Sequence, residues 1–103
     1  MKLSTDDKAW ATAVKDRDNH QCQRCSNTPN PQGLHAHHIF TRSRRSTRHV
    51  LRNGISLCMG CHRWAHSNPL EFHELMRSEI GEAEYDELQQ LSRVLEKRRR
   101  NRI

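Results

Sequence analysis

The chain has 103 residues, 33% of them hydrophobic and 5% aromatic, and carries a net charge of +6. So little apolar material usually needs a metal or disulfides for stability, and the positive charge favours a polyanionic partner. A chain of this length is expected to form one domain. No stretch is apolar enough for a secretory signal or a membrane span, so we expect a reducing cytoplasm and no membrane partner.

Residues 1–19 predict one amphipathic helix. Thr5 or Asp6 is suited to its N-cap, and the helix is expected to run to about Asp18. Trp10 lies on its apolar side. In a chain this poor in aromatic residues, such a ring more often belongs to the core than to a base-stacking surface.

Residues 20–67 predict a central unit of two short strands and a helix. In order, we expect a knuckle and loop at 20–31, a strand at Leu34–Ile39, a loop at Phe40–Asn53, a tight turn at Asn53-Gly54, a strand at Ile55–Leu57 and a helix at 59–67. The long loop is polar and rich in arginine, which favours a functional role in so small a domain.

Residues 68–103 predict a helical extension with a basic tail. Asn68 is suited to cap a helix that begins at Pro69 and ends at Gly81. A further helix is expected from Glu82 to about Arg98. The whole chain is therefore predicted to be a small α+β domain, with a central strand–loop–strand–helix unit and helices on both sides of it in the sequence.

Four cysteines form two C-x-x-C pairs, Cys22 with Cys25 and Cys58 with Cys61. Each pair can present two thiolates to one tetrahedral ion, which predicts a closed, structural zinc site. A redox-active C-x-x-C site is disfavoured because its usual βαβ context is absent. A Cys2His2 finger fails because its second histidine would fall at residues 42–44, where the sequence has arginine and serine.

The segment from Asn19 to Leu70 contains no Asp or Glu, yet it holds seven arginines and seven of the eight histidines. An arginine run is ordinarily a solvated basic face. Here the acid-free segment coincides with the candidate metal ligands. That coincidence favours a nucleic acid as the partner.

The histidines predict a second, open metal site. His62 and His66 lie one helical turn apart and are suited to grip a divalent ion, with His37 as a third ligand. With no carboxylate nearby, imidazoles and water would hold the ion and leave its charge free to polarise a phosphate. His38 would keep its lone pair and is suited to act as general base for water.

Two other polar residues each have two interpretations. The amide of Asn53 could bond the loop backbone and fix the position of His38, or it could simply form a turn with Gly54. His35 shares a strand face with His37 and could bind metal or substrate. The simpler alternative for His35 is a partly exposed filler residue.

His37-His38, Asn53 and His62-x3-His66 together resemble the ββα-metal motif of the HNH endonuclease family, and the cysteine pairs resemble its zinc-knuckle branch. The resemblance implies that His38 is the general base and that Asn53 orients it. It also implies that His37, His62 and His66 bind the catalytic metal. No acid stands at position 37, so the metal is left open among Mg²⁺, Mn²⁺, Ni²⁺ and Zn²⁺.

The same resemblance implies hydrolysis of DNA phosphodiester bonds with one divalent metal, beside the structural zinc. The chain is expected to be a monomer or weak dimer. A monomer with one site would nick a single strand, and a double-strand cut would need two copies. Arginines of the long loop are the candidates for phosphate contacts, namely Arg42, Arg44, Arg45 and Arg48. The C-terminal helices are similar to those of small phage HNH proteins, which raises phage packaging proteins as partners.

Two other functions fit part of the sequence. The cysteines and arginines also suit a non-catalytic, zinc-stabilised nucleic-acid-binding module, or a zinc domain that binds an acidic protein. Neither alternative explains why His37, His38, Asn53, His62 and His66 occur together in this order. An endonuclease is therefore the preferred prediction.

Overall fold

A computed structural model describes residues 5–29 and 33–101 of the chain, with side chains for residues 5–29 and 33–94. Within these residues the elements are, in order, α1 (Thr5–Arg17), β1 (Leu34–His38), a short 3-10 helix (Leu51–Asn53), β2 (Gly54–Cys58), α2 (Met59–Ser67), α3 (Pro69–Ile80) and α4 (Glu82–Asn101). The predicted α+β class and the central strand–loop–strand–helix order are confirmed. The side chains of the basic tail lie outside the described residues.

The two strands pair antiparallel, with Leu34 opposite Cys58 and His38 opposite Gly54. Side chains alternate between the faces of a strand, so the adjacent residues His37 and His38 point to opposite faces. His37 meets α2, where its ring contacts His62. His38 meets α1 on the other face. The sheet thus lies between α1 and α2, with His38 on the α1 face and His37 on the α2 face at the end of β1.

The predicted tight turn at Asn53-Gly54 is wrong. Asn53 ends the 3-10 helix, and Gly54 opens β2 in extended conformation, with φ −125° and ψ 152°. The glycine is required by packing instead of by a turn. A Cβ at this position would lie 2.6 Å from Cζ2 of Trp10 and would also collide with the side chain of Val14. Glycine therefore allows α1 to approach β2 closely.

Polar contacts at the end of α1 fix it to the second strand. Asp18 accepts a hydrogen bond of 2.9 Å from the Ser56 main-chain N–H. Arg17 donates to the carbonyl oxygens of Leu51 and Gly54 at 3.0 and 2.8 Å. These bonds satisfy main-chain groups of β2 and of the 3-10 helix before it. Helix α1 is therefore bonded to the sheet as well as packed on it.

Helices α3 and α4 complete the apolar core on the other side. Phe72 and Met76 of α3 and Tyr85 and Leu88 of α4 are buried in one cluster with Leu57 of β2. Such burial supplies the apolar contacts that the short sheet cannot provide alone. Among the described residues, no helix combines the length and the apolarity that crossing a membrane requires.

The start of α3 agrees in part with its prediction. Pro69 is the first residue of the helix, but the Asn68 side chain makes no capping hydrogen bond. Its amide nitrogen instead donates to the Trp64 carbonyl oxygen at 3.0 Å, closing the end of α2. The residue thus stabilises the helix that it follows, and proline alone begins the next.

Candidate active site and metal centres

The four cysteines converge on one point. Their Sγ atoms all lie within 4.8 Å of one another, with one pair from the chain after α1 and the other from the junction of β2 and α2. The Sγ atoms of Cys25 and Cys58 are 3.7 Å apart. Thiolates bonded at 2.3 Å to a tetrahedral zinc ion are separated by about 3.8 Å. The cluster therefore fits zinc in donor type and in spacing.

The cysteine cluster has uneven proton affinities. Burial raises the pKa of the Cys22 thiol, but hydrogen bonds from the backbone of Cys25, Cys58 and Arg24 outweigh it and lower the pKa to about 6. Burial raises the pKa of Cys61 to about 12. A bound metal requires thiolates, so binding at neutral pH releases protons from the thiols that remain protonated.

Arg24 lies against the cysteine cluster. Its Nη1 donates to Sγ of Cys61 at 3.4 Å, and its guanidinium stacks 3.7 Å above the Trp64 ring. Four thiolates around one zinc ion leave a net negative charge. A cation fixed on an aromatic face partly offsets that charge and holds one sulfur in place.

Three imidazoles form a second cluster. Ring nitrogens of His37, His62 and His66 lie within 4.8 Å of one another, and the Nε2 atoms of His62 and His66 are 3.1 Å apart. The two helical residues lie one turn apart on α2, and His37 faces them from β1. Three convergent nitrogens are a donor set suited to a divalent transition metal.

Burial favours the neutral form of two of these imidazoles, His37 and His62. Burial, reinforced by the neighbouring His62 and His66 rings, lowers the pKa of His37 to about 3. Burial also lowers the pKa of His62. A neutral imidazole offers the lone pair that a metal requires, so His37 and His62 are ready to bind an ion at neutral pH.

His38 lies apart from this cluster and is held by different contacts. Its Nε2 lies 3.0 Å from the Arg48 carbonyl oxygen. A carbonyl can only accept, so Nε2 carries the proton and Nδ1 keeps the lone pair of the neutral ring. The ring stacks on Trp10, with centroids 3.9 Å apart and planes inclined by 9°. Burial lowers the pKa of His38, which also favours the neutral form.

Asn53 is fully buried and braces the loop that follows β1. Its Oδ1 accepts from Phe40 N–H at 2.9 Å, and its Nδ2 donates to the carbonyl oxygens of Phe40 and Thr47 at 3.0 and 3.1 Å. The loop segment braced in this way leads directly into Arg48, whose carbonyl holds His38. The Asn53 side chain and the His38 ring thus contact adjacent residues of the loop backbone, Thr47 and Arg48.

An open cavity of about 320 Å³ connects the two groups of histidines at the end of β1. It lies between α1 and α2, and its wall includes the three candidate metal ligands as well as His38. Its lining includes Asp7, Trp10, His37, His38, Arg42, His62 and His66. A substrate in this cavity would contact the three-histidine cluster and His38 together.

Residues 22–68 match the family model described as HNH endonuclease. These residues belong to the HNH endonuclease family. The matched HNH segment contains both cysteine pairs, the three-histidine cluster, His38 and Asn53. Helix α1 precedes it. Comparisons with curated proteins and with solved structures found no match.

The arginine-rich loop of residues 40–53, called the arginine loop below, contacts an acidic side chain from outside the HNH segment. Asp7 of α1, with 4% of its side chain exposed, accepts from Arg48 Nη2 at 2.7 Å and contacts Arg42 at 3.4 Å. It also lies 2.8 Å from His49 Nε2. Arg48 as a phosphate contact stays a prediction, and its guanidinium is bound by a buried carboxylate. Arg45 is exposed on the same loop.

Sequence reasoning missed the parts of the site that α1 supplies. Asp7 has the pattern of an ordinary acid in the first turn of a helix, and Trp10 that of a core residue. Both are buried, as a core role requires, but they also contact the arginine loop and His38. No spacing rule predicts such contacts, because they depend on how α1 docks.

His35 lies beside the three-histidine cluster. Its ring stacks on His62 with centroids 4.9 Å apart. Its Nε2 is buried and, among the described residues, has no hydrogen-bond partner. His73 is a satisfied packing residue, since its Nδ1 lies 2.7 Å from the Tyr85 hydroxyl.

Proposed function

We propose that this chain is a metal-dependent DNA endonuclease that hydrolyses phosphodiester bonds and nicks one strand per site. One observation carries the proposal. Three imidazoles converge on one side of a cavity, while His38 on the same cavity keeps its Nδ1 lone pair because its Nε2 is bound to a carbonyl. A metal site beside an unligated base is the arrangement that metal-assisted hydrolysis needs.

In this proposal His37, His62 and His66 hold the catalytic ion, and the four cysteines hold a separate structural zinc. When bound, the catalytic ion supplies Lewis-acid polarisation of a phosphate oxygen. An all-imidazole donor set favours Mn²⁺, Ni²⁺ or Zn²⁺ over Mg²⁺, which prefers oxygen ligands. The low pKa of His37 keeps that ligand available at neutral pH.

His38 takes the proton from the attacking water at Nδ1. Its Nε2–H stays bonded to the Arg48 carbonyl, which stabilises the positive charge that the ring gains. The lowered pKa keeps His38 in its neutral form at pH 7, so that its Nδ1 lone pair is available to accept a proton. Asn53 preserves this geometry by fixing the loop backbone at Thr47, next to the residue that supplies the carbonyl.

DNA would meet the protein mainly through its phosphates. We assign the backbone contacts to Arg44 and Arg45, with a contribution from Arg42, which is part-exposed although it touches Asp7. Contacts of this kind set affinity and salt dependence, and not sequence choice. Reduced cysteines suit a cytoplasmic location, and phage packaging proteins as partners stay a prediction from the resemblance alone.

The test is a supercoiled-plasmid assay with Mn²⁺, Ni²⁺, Zn²⁺ or Mg²⁺. A chelator would strip both metal sites, so the informative variants are His62→Ala and His66→Ala, which leave the cysteine cluster intact. We expect both to retain one zinc per chain and to lose nicking. The matched control is His20→Ala, since His20 is 61% exposed and pairs with Asp16 outside the cavity.

Two results would contradict the proposal. One is a wild-type protein, loaded with zinc, that cuts no DNA with any of the four metals. If that protein still bound DNA, the non-catalytic zinc-stabilised nucleic-acid-binding module would replace the endonuclease. The other is equal nicking by His62→Ala, His66→Ala and His20→Ala, which would exclude the three-histidine cluster as the catalytic metal site.

A further inference from the structure

Helix α1 lies outside the matched HNH segment, yet one of its side chains covers His38. The rings of Trp10 and His38 are stacked, 3.9 Å apart and nearly parallel at 9°. The indole is itself fixed, because it is 6% exposed and its Nε1–H donates to the Val50 carbonyl oxygen at 2.8 Å. A ring held at its edge and buried on its faces gives a rigid wall for the imidazole.

The sheet leaves space for this wall. Gly54 is the register partner of His38 across the two strands. A Cβ on Gly54 would lie 2.6 Å from Cζ2 and 3.2 Å from Cε2 of Trp10. Any other residue at 54 would therefore push the indole away from the position in which it stacks on His38. The stack depends on the absence of a side chain on the neighbouring strand.

A second residue of α1 supports the other contact of His38. Asp7 accepts from Nε and Nη2 of Arg48 at 2.9 and 2.7 Å. The main-chain carbonyl of that same arginine accepts from Nε2 of His38. Helix α1 therefore fixes the imidazole in two ways, with Trp10 against its face and Asp7 behind the residue that binds its edge.

We propose that Trp10 is a positioning residue for His38, and that α1 is thereby a working part of the nuclease site. This inference rests on the proposed function, in which His38 Nδ1 accepts the proton of the attacking water. Without the indole the imidazole could turn about its side-chain bonds and move Nδ1 away from that water. Small displacements of a reacting group cost rate more than binding, since the DNA contacts lie elsewhere.

The experiment compares Trp10→Leu, Trp10→Phe and the control Val14→Ala. Val14 is buried on the same helix, so its truncation loosens the packing of α1 without removing a ring from His38. All proteins are zinc-loaded and assayed for nicking at a temperature where each is folded. We expect Trp10→Leu to lower kcat by about 10- to 100-fold with KM nearly unchanged. Trp10→Phe, which restores a ring, should recover most of kcat.

A second measurement does not depend on cutting. An aromatic ring shifts the NMR signals of protons above its face upfield, so the His38 ring protons should lie upfield of those of the exposed His20. The shift should persist in Trp10→Phe and vanish in Trp10→Leu. If Trp10→Leu does not fold, the wild-type protein and Trp10→Phe still decide whether the rings stack.

Each failure has its own signature. The positioning role is overturned if wild-type His38 shows no upfield shift, or if Trp10→Leu loses no more kcat than Val14→Ala. It is also overturned if the loss appears in KM alone. A wild-type protein that never cuts DNA contradicts the proposed function before any variant is compared. A wild-type protein that cuts, beside a fully active Trp10→Leu, contradicts the positioning role and leaves the proposed function standing.

Discussion

Asp7 and Arg48 form a two-point ion pair that joins α1 to the arginine loop, with Oδ1 2.9 Å from Nε and Oδ2 2.7 Å from Nη2. The residues are 41 positions apart in the chain. The pair fixes the loop at the residue whose carbonyl binds His38. A carboxylate from α1 thus binds a loop whose own sequence contains no acid, and it helps to fix the position of that loop.

Asp7→Asn should destabilise the protein. The substitution removes the buried negative charge that binds Arg48, Arg42 and His49. These partners are partly exposed to water, which limits the cost of losing that charge. We therefore expect the free energy of unfolding to fall by about 1–3 kcal/mol. Urea unfolding measures it. The control Asp16→Asn removes an exposed carboxylate from the same helix and should change stability by less than about 0.5 kcal/mol. Equal effects would show that the Asp7 contacts add no stability.

Gly54→Ala should also destabilise the protein, by about 1–3 kcal/mol, because the added methyl group collides with Trp10 and Val14. Thermal unfolding gives the comparison. Gly60→Ala is the matched control. The residue is helical, and beyond its chain neighbours and the backbone of its own helix no heavy atom of the described residues lies within 4 Å of a Cβ placed there. Alanine is the better helix former, so this variant should be neutral or slightly more stable. A tolerated Gly54→Ala would contradict the close packing of α1 on β2.

Stability should fall as the pH is lowered from about 7.5 toward 5.5. The pKa of His37 drops from an ordinary value of 6.5 to about 3 in the folded protein, chiefly through burial. In this window the unfolded chain binds the proton and the folded one does not, so stability rises with pH. His62 acts in the same direction.

The check is urea unfolding of zinc-loaded wild type and His37→Gln across that pH window. Glutamine does not titrate, so the stability of His37→Gln should depend less steeply on pH. The zinc thiolates are common to both proteins and cancel in the comparison. Identical pH slopes would mean that His37 is not protected from protonation by the fold.

Arg24→Ala should weaken zinc binding by about 10-fold or more, because it removes the cation from Cys61 and from the Trp64 face. Competition with a chromophoric chelator measures the affinity. Arg63→Ala is the control, since Arg63 is an exposed cation on α2. Loss of affinity in both variants alike would indicate a general effect of positive charge instead of a contact with the cluster.

Local spacing made much of this site predictable. C-x-x-C brings two sulfurs to one ion, and His62 and His66 share a helix face because one turn separates them. The element order followed from the same motifs and from the turn residues between them.

The contacts of α1 could not be predicted in this way. Trp10, Asp7 and Gly54 have ordinary local interpretations, as a core residue, a helix-start acid and a turn glycine. Their positions are set by the docking of a helix whose partners lie some 40 residues away, as with the 2.8 Å bond from Trp10 to Val50. Hydrophobic periodicity shows that such a helix buries one face, but not which residues of another segment that face will meet.

The most direct test of the account is the nicking rate of His38→Ala at saturating DNA and metal, measured beside His20→Ala. We expect His38→Ala to keep its zinc, its affinity for the second metal and its DNA binding, while kcat falls by about 100-fold or more. His20→Ala should match wild type. Wild-type nicking by His38→Ala would contradict the assignment of the general base, and loss of the second metal in that variant would show that His38 is a ligand instead.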